Sequence, residues 1–169
     1  MENKKLIEKI RAEIVTADFP SVYEPEKWKD IKEYTSGLQY ALDLKNINLN
    51  KSLNVGDILG IRVLPFMHSK HLEEILREEW EMLGLKVEYS HGNMFKVVNT
   101  KRQNIAVFLS GECKYWHFVR QDRDGNWSHQ MGDGGKIEVL NELPAGMICP
   151  IKGYGNLKLM WYCTFSLTK

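Results

Sequence analysis

Apolar residues recur at helical spacing in three stretches of the chain, so the pattern predicts three helices. The first contains Leu6, Ile7, Ile10 and Ile14 and ends before Pro20. The second begins at Thr35 or Ser36, which both favour the N-cap position, and runs for about ten residues towards Asn46. The third covers residues 70–83, with Ser69 as its cap and Gly84 after its last turn.

After Gly84 the apolar period shortens from that of a helix to that of a strand. The predicted strands cover residues 85–89, 94–98, 104–109, 114–120, 136–140 and 158–167. Turn-forming residues separate them at 90–93 and 122–126. Helices followed by an antiparallel sheet predict an α+β fold, with the helices packed on a central sheet in one domain over residues 1–169. Residues 15–34, which carry prolines and aromatics among charges, are expected to form an extended arm.

The composition is that of a soluble globular protein. With 169 residues, 43% of them hydrophobic, the chain is neither a disordered protein nor a small disulfide scaffold. Lys and Arg number 23 and Asp and Glu 22, so the formal net charge is +1 and no overall field attracts nucleic acid or an anionic membrane. The first residues lack the apolar core of a secretion signal, and no stretch is apolar enough to span a membrane. We therefore expect a cytoplasmic protein, of a bacterium or of a host cell.

Cysteine and histidine spacing gives no support for a metal site or a cofactor. Cys113, Cys149 and Cys163 are odd in number and lack CxxC spacing, so they are expected to be reduced thiols. His68 and His71 fit a solvated helix start better than a ligand pair. Residues 133–136 contain two glycines and a lysine but not the pattern of a phosphate-binding loop.

Residues 115–132 form the segment with the most chemical content. On a strand here, Trp116, Phe118 and Arg120 face one side, whereas His117, Val119 and Gln121 face the other. A histidine and a glutamine on one face can act as a general base and its polar orienter. The alternative is a histidine that is merely satisfied in the core or at an edge of the sheet.

The same segment resembles the histidine strand of bacterial papain-like cysteine hydrolases. It reads Tyr115-Trp116-His117-Phe118-Val119-Arg120-Gln121-Asp122, then Asp124-Gly125, Trp127-Ser128-His129 and Gly132. Tyr40-Ala41-Leu42 is similar to the upstream helix of that family, and Val55-Gly56-Asp57-Ile58-Leu59-Gly60 is similar to a turn that follows it. The resemblance covers about residues 34–132 and the aromatic strand 159–165. It implies a papain-like fold with His117 as the general base.

Papain-like enzymes carry a nucleophilic cysteine at the amino end of a buried helix, where backbone N–H groups stabilise the thiolate and the oxyanion. Aligned on Tyr40-Ala41-Leu42, the Asn-Cys pair of the family falls on Ser36 and Gly37. The vestigial nucleophile position therefore has no side chain, and the usual mechanism does not operate without it. Ser36 is a shifted alternative, but a displacement of one residue turns its side chain by about 100°. On a regular strand Cys113 lies about 13 Å from His117, which is too far for a catalytic pair. Cys149 remains an alternative nucleophile, because the sequence pattern does not place its loop.

The resemblance and its missing nucleophile together predict a catalytically degenerate papain-like protein that binds a protein partner. Such a small chain fits an inhibitor or effector of phage or bacterial origin. The expected binding residues are Trp28, Trp116, Trp127 and His129, because aromatic side chains dominate interface energetics.

Two alternatives stay open. The first is an active hydrolase, a peptidase, deamidase or acyltransferase, that uses His117 with a shifted nucleophile. The second is a nucleic-acid or nucleotide binder, for which the sheet region offers basic residues beside aromatic ones: Lys96, Lys101, Arg102, Lys114, Arg120 and Arg123. The nearby carboxylates of Glu112, Asp122 and Asp124 reduce the positive charge of this region. No signal for an oligomeric state is present.

Overall fold

The computed structural model describes residues 2–29, 35–49, 51–63, 67–90, 101–110, 115–132, 134–140, 148–151 and 155–168. The helices in these ranges are α1 (Glu2–Thr16), a 3-10 helix (Pro25–Trp28), α2 (Gly37–Ala41) and α3 (Ser69–Met82). The strands are β1 (Leu85–Ser90), β2 (Gln103–Ser110), β3 (Trp116–Gln121), β4 (Trp127–Gln130), β5 (Ile137–Leu140), β6 (Ile148–Ile151) and β7 (Gly155–Leu167). The fold class is α+β, as the apolar pattern predicts. The strand predicted at 94–98 lies outside the described residues.

The seven strands form one sheet in the order β1-β7-β2-β3-β4-β5, with β6 also paired to β7. Every one of these pairings is antiparallel. The long strand β7 pairs with β2 along one edge and with β1 and then β6 along the other. Strands β2 and β3 therefore lie at the centre of the sheet.

Alternating side chains divide the sheet into two faces. The first, called here the helix face, carries Ile105, Val107, Phe118 and Phe165, which pack in one apolar cluster with residues of α1, α2 and α3. The second, called the far face, carries a separate apolar cluster: Ala106, Phe108, Val119, Trp127, Leu157 and Tyr162. The three described α-helices all contribute to the cluster on the helix face.

Helix α2 is much shorter than the apolar pattern predicts. Its start agrees, because Ser36 is the N-cap and forms a capping box with Gln39. Its end does not, because Asp43 adopts a left-handed conformation with φ 56°, which stops the helix after one turn. The apolar residues beyond, such as Leu44, are buried in irregular backbone. Apolar content alone cannot distinguish a buried turn from a buried helix.

Helix α3 agrees with its prediction, although its cap is one residue earlier. His68, and not Ser69, is the N-cap, and its Nδ1 accepts a hydrogen bond from the Lys70 N–H. Gly84 follows the helix with φ 81°, a conformation that favours glycine. The buried carboxylate of Glu79 then accepts hydrogen bonds from the backbone of Ile58 and Leu59, which fastens the 55–60 turn to α3.

The short strands β4 and β6 were not predicted from the pattern. All four residues of β4 are buried, so polar and apolar positions do not alternate there as they do on a half-exposed strand. The hairpin before β4 does agree with prediction: Gly125 has φ 90°, and the Asp122 N–H donates to the Asn126 carbonyl at 2.8 Å.

Residues 19–21 and Trp28 are buried in the fold, so for this part of the segment the prediction of an extended arm is wrong, and residues 30–34 lie outside the described residues. The Phe19 ring meets Phe165 edge-on at 5.1 Å. The Ser21 carbonyl accepts a hydrogen bond from the Arg123 N–H at 2.8 Å. Aromatic residues among charges here fill the helix side of the sheet instead of projecting from it. In the part of the chain described, no helix is both long and apolar enough to cross a membrane.

Candidate functional site

The amino end of α2 is where the resemblance expects the nucleophile. Ser36 is 5% exposed, and its Oγ donates to the Leu53 carbonyl at 2.5 Å while accepting from the Gln39 N–H at 3.2 Å. The hydroxyl therefore acts as the acceptor that caps the helix and as the donor that holds the segment around Leu53. This hydrogen bonding argues against Ser36 as a shifted nucleophile.

Gly37 lies directly over the pairing of β3 with β4. A Cβ on Gly37 would lie 3.9 Å from the Phe118 backbone nitrogen and 3.9 Å from the Gln130 carbonyl oxygen. The loop before the helix is tied to β4, since Gln130 Nε2 donates to Thr35 Oγ1 at 2.7 Å. The helix end and the histidine strand, which the resemblance pairs, are thus neighbours in the fold. The space at Gly37 also accommodates a side chain.

His117, however, lies on the far face. It pairs in register with Phe108, which belongs to the far-face cluster, while its neighbour Phe118 belongs to the helix-face cluster. The backbone of the sheet therefore separates the imidazole from the amino end of α2, and the two do not form a catalytic pair. This result corrects the expectation that Gly37 marks a vestigial nucleophile facing its base.

The partner of His117 is His129 on β4. His117 Nε2 lies 2.8 Å from His129 Nδ1, and the two rings meet nearly at right angles with centroids 4.9 Å apart. The residues are 3% and 2% exposed. One imidazole donates the hydrogen bond and the other accepts it. We call these two residues the histidine pair.

Burial determines the charge of the histidine pair. Burial and, to a smaller extent, the neighbouring His129 lower the pKa of His117 to about 3. The pKa of His129 is also lowered by burial, although the Glu138 carboxylate on β5 acts in the opposite direction. Both rings are therefore neutral near pH 7. A neutral imidazole can accept a proton from a substrate, but both imidazoles of this pair are buried.

Gln121 does not orient His117. It lies four residues along β3, where its Nε2 donates to the Gly125 carbonyl and its Oε1 accepts from Asn104 Nδ2. Asn104 in turn accepts from the Thr164 hydroxyl at 2.7 Å. The glutamine thus fixes the β3–β4 hairpin to the centre of the sheet. A position four residues away on a strand is about 13 Å distant, beyond the reach of a hydrogen bond.

The predicted binding residues do not line one surface. Trp28 is 1% exposed and packs on Tyr40, with ring centroids 5.2 Å apart. Trp127 and His129 are buried on the far face. Trp116 lies on the helix face, half-buried and stacked over Phe118. Only Trp116 of the four predicted residues therefore retains surface for a partner, and Tyr115 beside it is 51% exposed.

Arg120 is the centre of a buried polar cluster that the sequence pattern did not predict. The side chain is 0% exposed and bonds Asp43 and Asp122, each at 2.9 Å. It also donates to the Tyr40 and Val22 carbonyls, and its guanidinium lies 4.0 Å from the centroid of the Tyr40 ring. We call Arg120 and these partners the arginine cluster. The sequence did contain a signal for the burial of Arg120, because strand alternation places it on the same face as Phe118.

The basic patch considered for nucleic acid is not assembled. Arg120 is buried, Arg123 bonds Asp18 at 2.7 Å and Arg102 bonds Glu88 at 3.1 Å. Lys96 and Lys114 lie outside the described residues. Among the residues that are described, no group of three or more His, Cys, Asp or Glu side chains is placed to hold a metal ion.

The cysteines do not supply a nucleophile within the described structure. Cys163 is fully buried in the helix-face cluster, and burial raises the pKa of its thiol. Cys149 lies on β6 opposite Leu157, with its side chain outside the described part, and Cys113 is outside the described residues.

Comparison with known proteins adds no relative. A scan against models of protein families and a search of curated proteins both found no match to this chain.

Proposed function

We propose that this chain is a catalytically degenerate protein of papain-like type that acts by binding a protein partner, as an inhibitor or effector does. The observation that supports the loss of catalysis is the separation of its two would-be catalytic positions, and the papain-like type is based on the sequence resemblance of residues 34–132. Gly37 supplies no nucleophile on the helix face, and His117 is hydrogen-bonded to His129 on the far face. Nucleophilic catalysis needs the nucleophile and its base within hydrogen-bond reach.

The remaining nucleophiles support the same conclusion. Ser36 uses its hydroxyl proton on the Leu53 carbonyl, and Cys163 is buried with a raised pKa. A buried thiol of this kind behaves as a small apolar residue instead of a reactive group. The hydrolase alternative therefore has no activated nucleophile among the described residues.

The surface that best suits a protein partner lies at the start of β3. Tyr115 is 51% exposed, and half-buried Trp116 beside it is stabilised by stacking on Phe118. A rigid aromatic side chain next to an exposed one is typical of the anchor residues that dominate binding energy. We propose that Tyr115 and Trp116 contact the partner.

The proposal is tested by capturing the partner with the tagged full-length chain from the cells that encode it, and then measuring binding of the two purified proteins. Tyr115→Ala should weaken binding about tenfold or more, because truncating an aromatic anchor costs about 2 kcal/mol. Val139→Ala, which removes another exposed apolar side chain on β5, is the matched control and should have no effect.

The same experiment separates binding from hydrolysis. The intact mass of the partner should be unchanged after prolonged incubation with the chain. A mass change that disappears in Ser36→Ala or in His117→Gln, with both variants folded by circular dichroism, would establish the hydrolase instead.

A further inference from the structure

A polar cleft of about 310 Å³ lies on the helix side of the molecule. It is formed by the end of α1, residues 17–27, the turn after α2 and the β3–β4 hairpin. This volume is within the range of about 300–1,000 Å³ that small-molecule sites occupy. The cleft lies apart from both the histidine pair and Tyr115.

The inner wall of the cleft is fixed and rich in carboxylates. Asp43 is 3% exposed, with one oxygen on Arg120 and the other on Lys45. Glu13 is oriented by Asn46, whose backbone and side-chain nitrogens both donate to its Oε1. Glu24 is paired with both Lys27, at 2.7 Å, and Lys45, at 3.2 Å, and the two lysines also line the cleft. A cationic group that enters the cleft therefore meets Glu13 as its carboxylate, already held in position by Asn46.

The rim of the cleft presents Arg123 in a fixed orientation. Its Nε donates to the Pro20 carbonyl and its second terminal nitrogen to the Asp18 carbonyl. The Asp18 carboxylate pairs with it at 2.7 Å, but that side chain is 85% exposed. Exposed ion pairs contribute little to stability, so an incoming anion can replace this carboxylate while the backbone carbonyls hold the guanidinium in place.

We propose that the cleft binds a zwitterion of amino-acid size. The anionic group of the ligand pairs with Arg123 in place of the Asp18 carboxylate, and its cationic group pairs with Glu13. A ligand with one sign of charge satisfies only one wall and is repelled by the other. The zwitterion is either a free basic amino acid or an adjacent Arg-Glu side-chain pair of a protein, which present the same chemistry.

The test is calorimetric titration of the full-length chain at pH 7 and low salt with defined probes. L-Arginine carries both charges, agmatine lacks the carboxylate, and succinate lacks the cation. N-acetyl-Arg-Glu-amide carries both charges on side chains only. L-Arginine or the blocked dipeptide should bind at least about tenfold more tightly than agmatine and succinate, because each lost charged hydrogen bond costs a factor of that size.

The preferred probe identifies the source of the zwitterion. Tighter binding of L-arginine indicates a free amino acid, and tighter binding of the dipeptide indicates a protein segment. Absence of saturable binding by both, up to about 10 mM, overturns the proposal. Equal binding of agmatine and L-arginine also overturns it, because the site is then selective for a cation only.

Matched variants locate the binding. Arg123→Gln and Glu13→Gln should each weaken binding of the preferred probe about tenfold. Arg102→Gln and Glu26→Gln alter an exposed arginine and an exposed glutamate outside the cleft and should leave it unchanged. Equal weakening by all four variants would show a general charge effect and would refute the assignment to the cleft.

Discussion

Two buried polar groups lie three residues apart on β3 and are satisfied in different ways. Arg120, on the helix face, keeps its charge and bonds partners from residues 22, 40, 43 and 122. His117, on the far face, is neutral and hydrogen-bonded to one imidazole on the adjacent strand. Because their separation is odd, strand alternation sends the two side chains to opposite sides.

This difference shows what each group can contribute to the fold. A buried charge is costly unless counter-charges and polar groups surround it, so the arginine cluster joins segments that are far apart in sequence. The neutral imidazoles of the histidine pair bond each other without a counter-charge, so the pair joins two strands that the hairpin already connects. Disrupting the arginine cluster should therefore have the larger effect.

The largest predicted effect is that of Arg120→Ala. The substitution removes the cation beside buried Asp122 and one of the two cations beside buried Asp43, and the free energy of unfolding should fall by about 3–5 kcal/mol. Urea denaturation at pH 7 measures this loss. Arg102→Ala, which removes an exposed partner of Glu88, should cost less than about 1 kcal/mol. Similar losses for the two variants would contradict the central role of the arginine cluster.

The second prediction concerns pH and the histidine pair. The folded-state pKa of His117 is lowered to about 3 from an ordinary value of 6.5, so below pH 6.5 the unfolded chain binds a proton that the folded chain excludes. The stabilisation is complete above pH 6.5 and is lost as the pH falls towards 3. The loss from His117 should be about 2 kcal/mol at pH 5.

Urea denaturation of the wild type and of His117→Gln between pH 7 and 5 measures this dependence. The variant should be less stable at pH 7 but should show a flatter decline. His71→Gln, at an exposed helix position, should decline like the wild type. Parallel curves for the wild type and His117→Gln would show that the histidine pair does not control stability in this range.

A smaller effect is predicted for the cap of α2. Ser36→Ala removes the acceptor for the Gln39 N–H and the donor to the Leu53 carbonyl, and should cost about 1 kcal/mol. Thermal or urea denaturation provides the measurement. Ser52→Ala, in the same connecting segment, is the control and should be nearly neutral. If Ser36→Ala leaves the free energy of unfolding unchanged, the Ser36 hydroxyl is not needed for the fold, and the hydrolase alternative is strengthened.

The smallest effect, and one of opposite sign, is predicted for Gly37→Ala. A Cβ at this position meets only ordinary contacts at 3.9 Å, so alanine should stabilise the protein by about 0.5 kcal/mol through a less flexible unfolded chain. Gly135→Ala is the contrasting variant, because its Cβ would overlap the Met131 carbonyl. Destabilisation by Gly37→Ala would show that the fold requires a glycine at this position.

The sequence by itself determined the helices, strands and turns that depend on residues close together in the chain. Apolar periodicity predicts α1, α3 and most strands, the Ser36 cap predicts the start of α2, and Asp124-Gly125 predicts the hairpin before β4. These features involve residues within a few positions of one another. The helices-then-sheet order likewise predicts the α+β class without any knowledge of contacts.

Only the tertiary structure decided which side chains meet. Strand alternation places His117 and Arg120 on opposite faces of the sheet, but it does not show which face the helices cover. Because α2 packs on the face opposite His117, the sheet lies between His117 and Gly37. The bond from Arg120 to Asp43 and the burial of Trp28 against Tyr40 join residues far apart in sequence. Such contacts follow from the packing of the whole chain, because a buried side chain is satisfied by whatever residue the fold brings beside it.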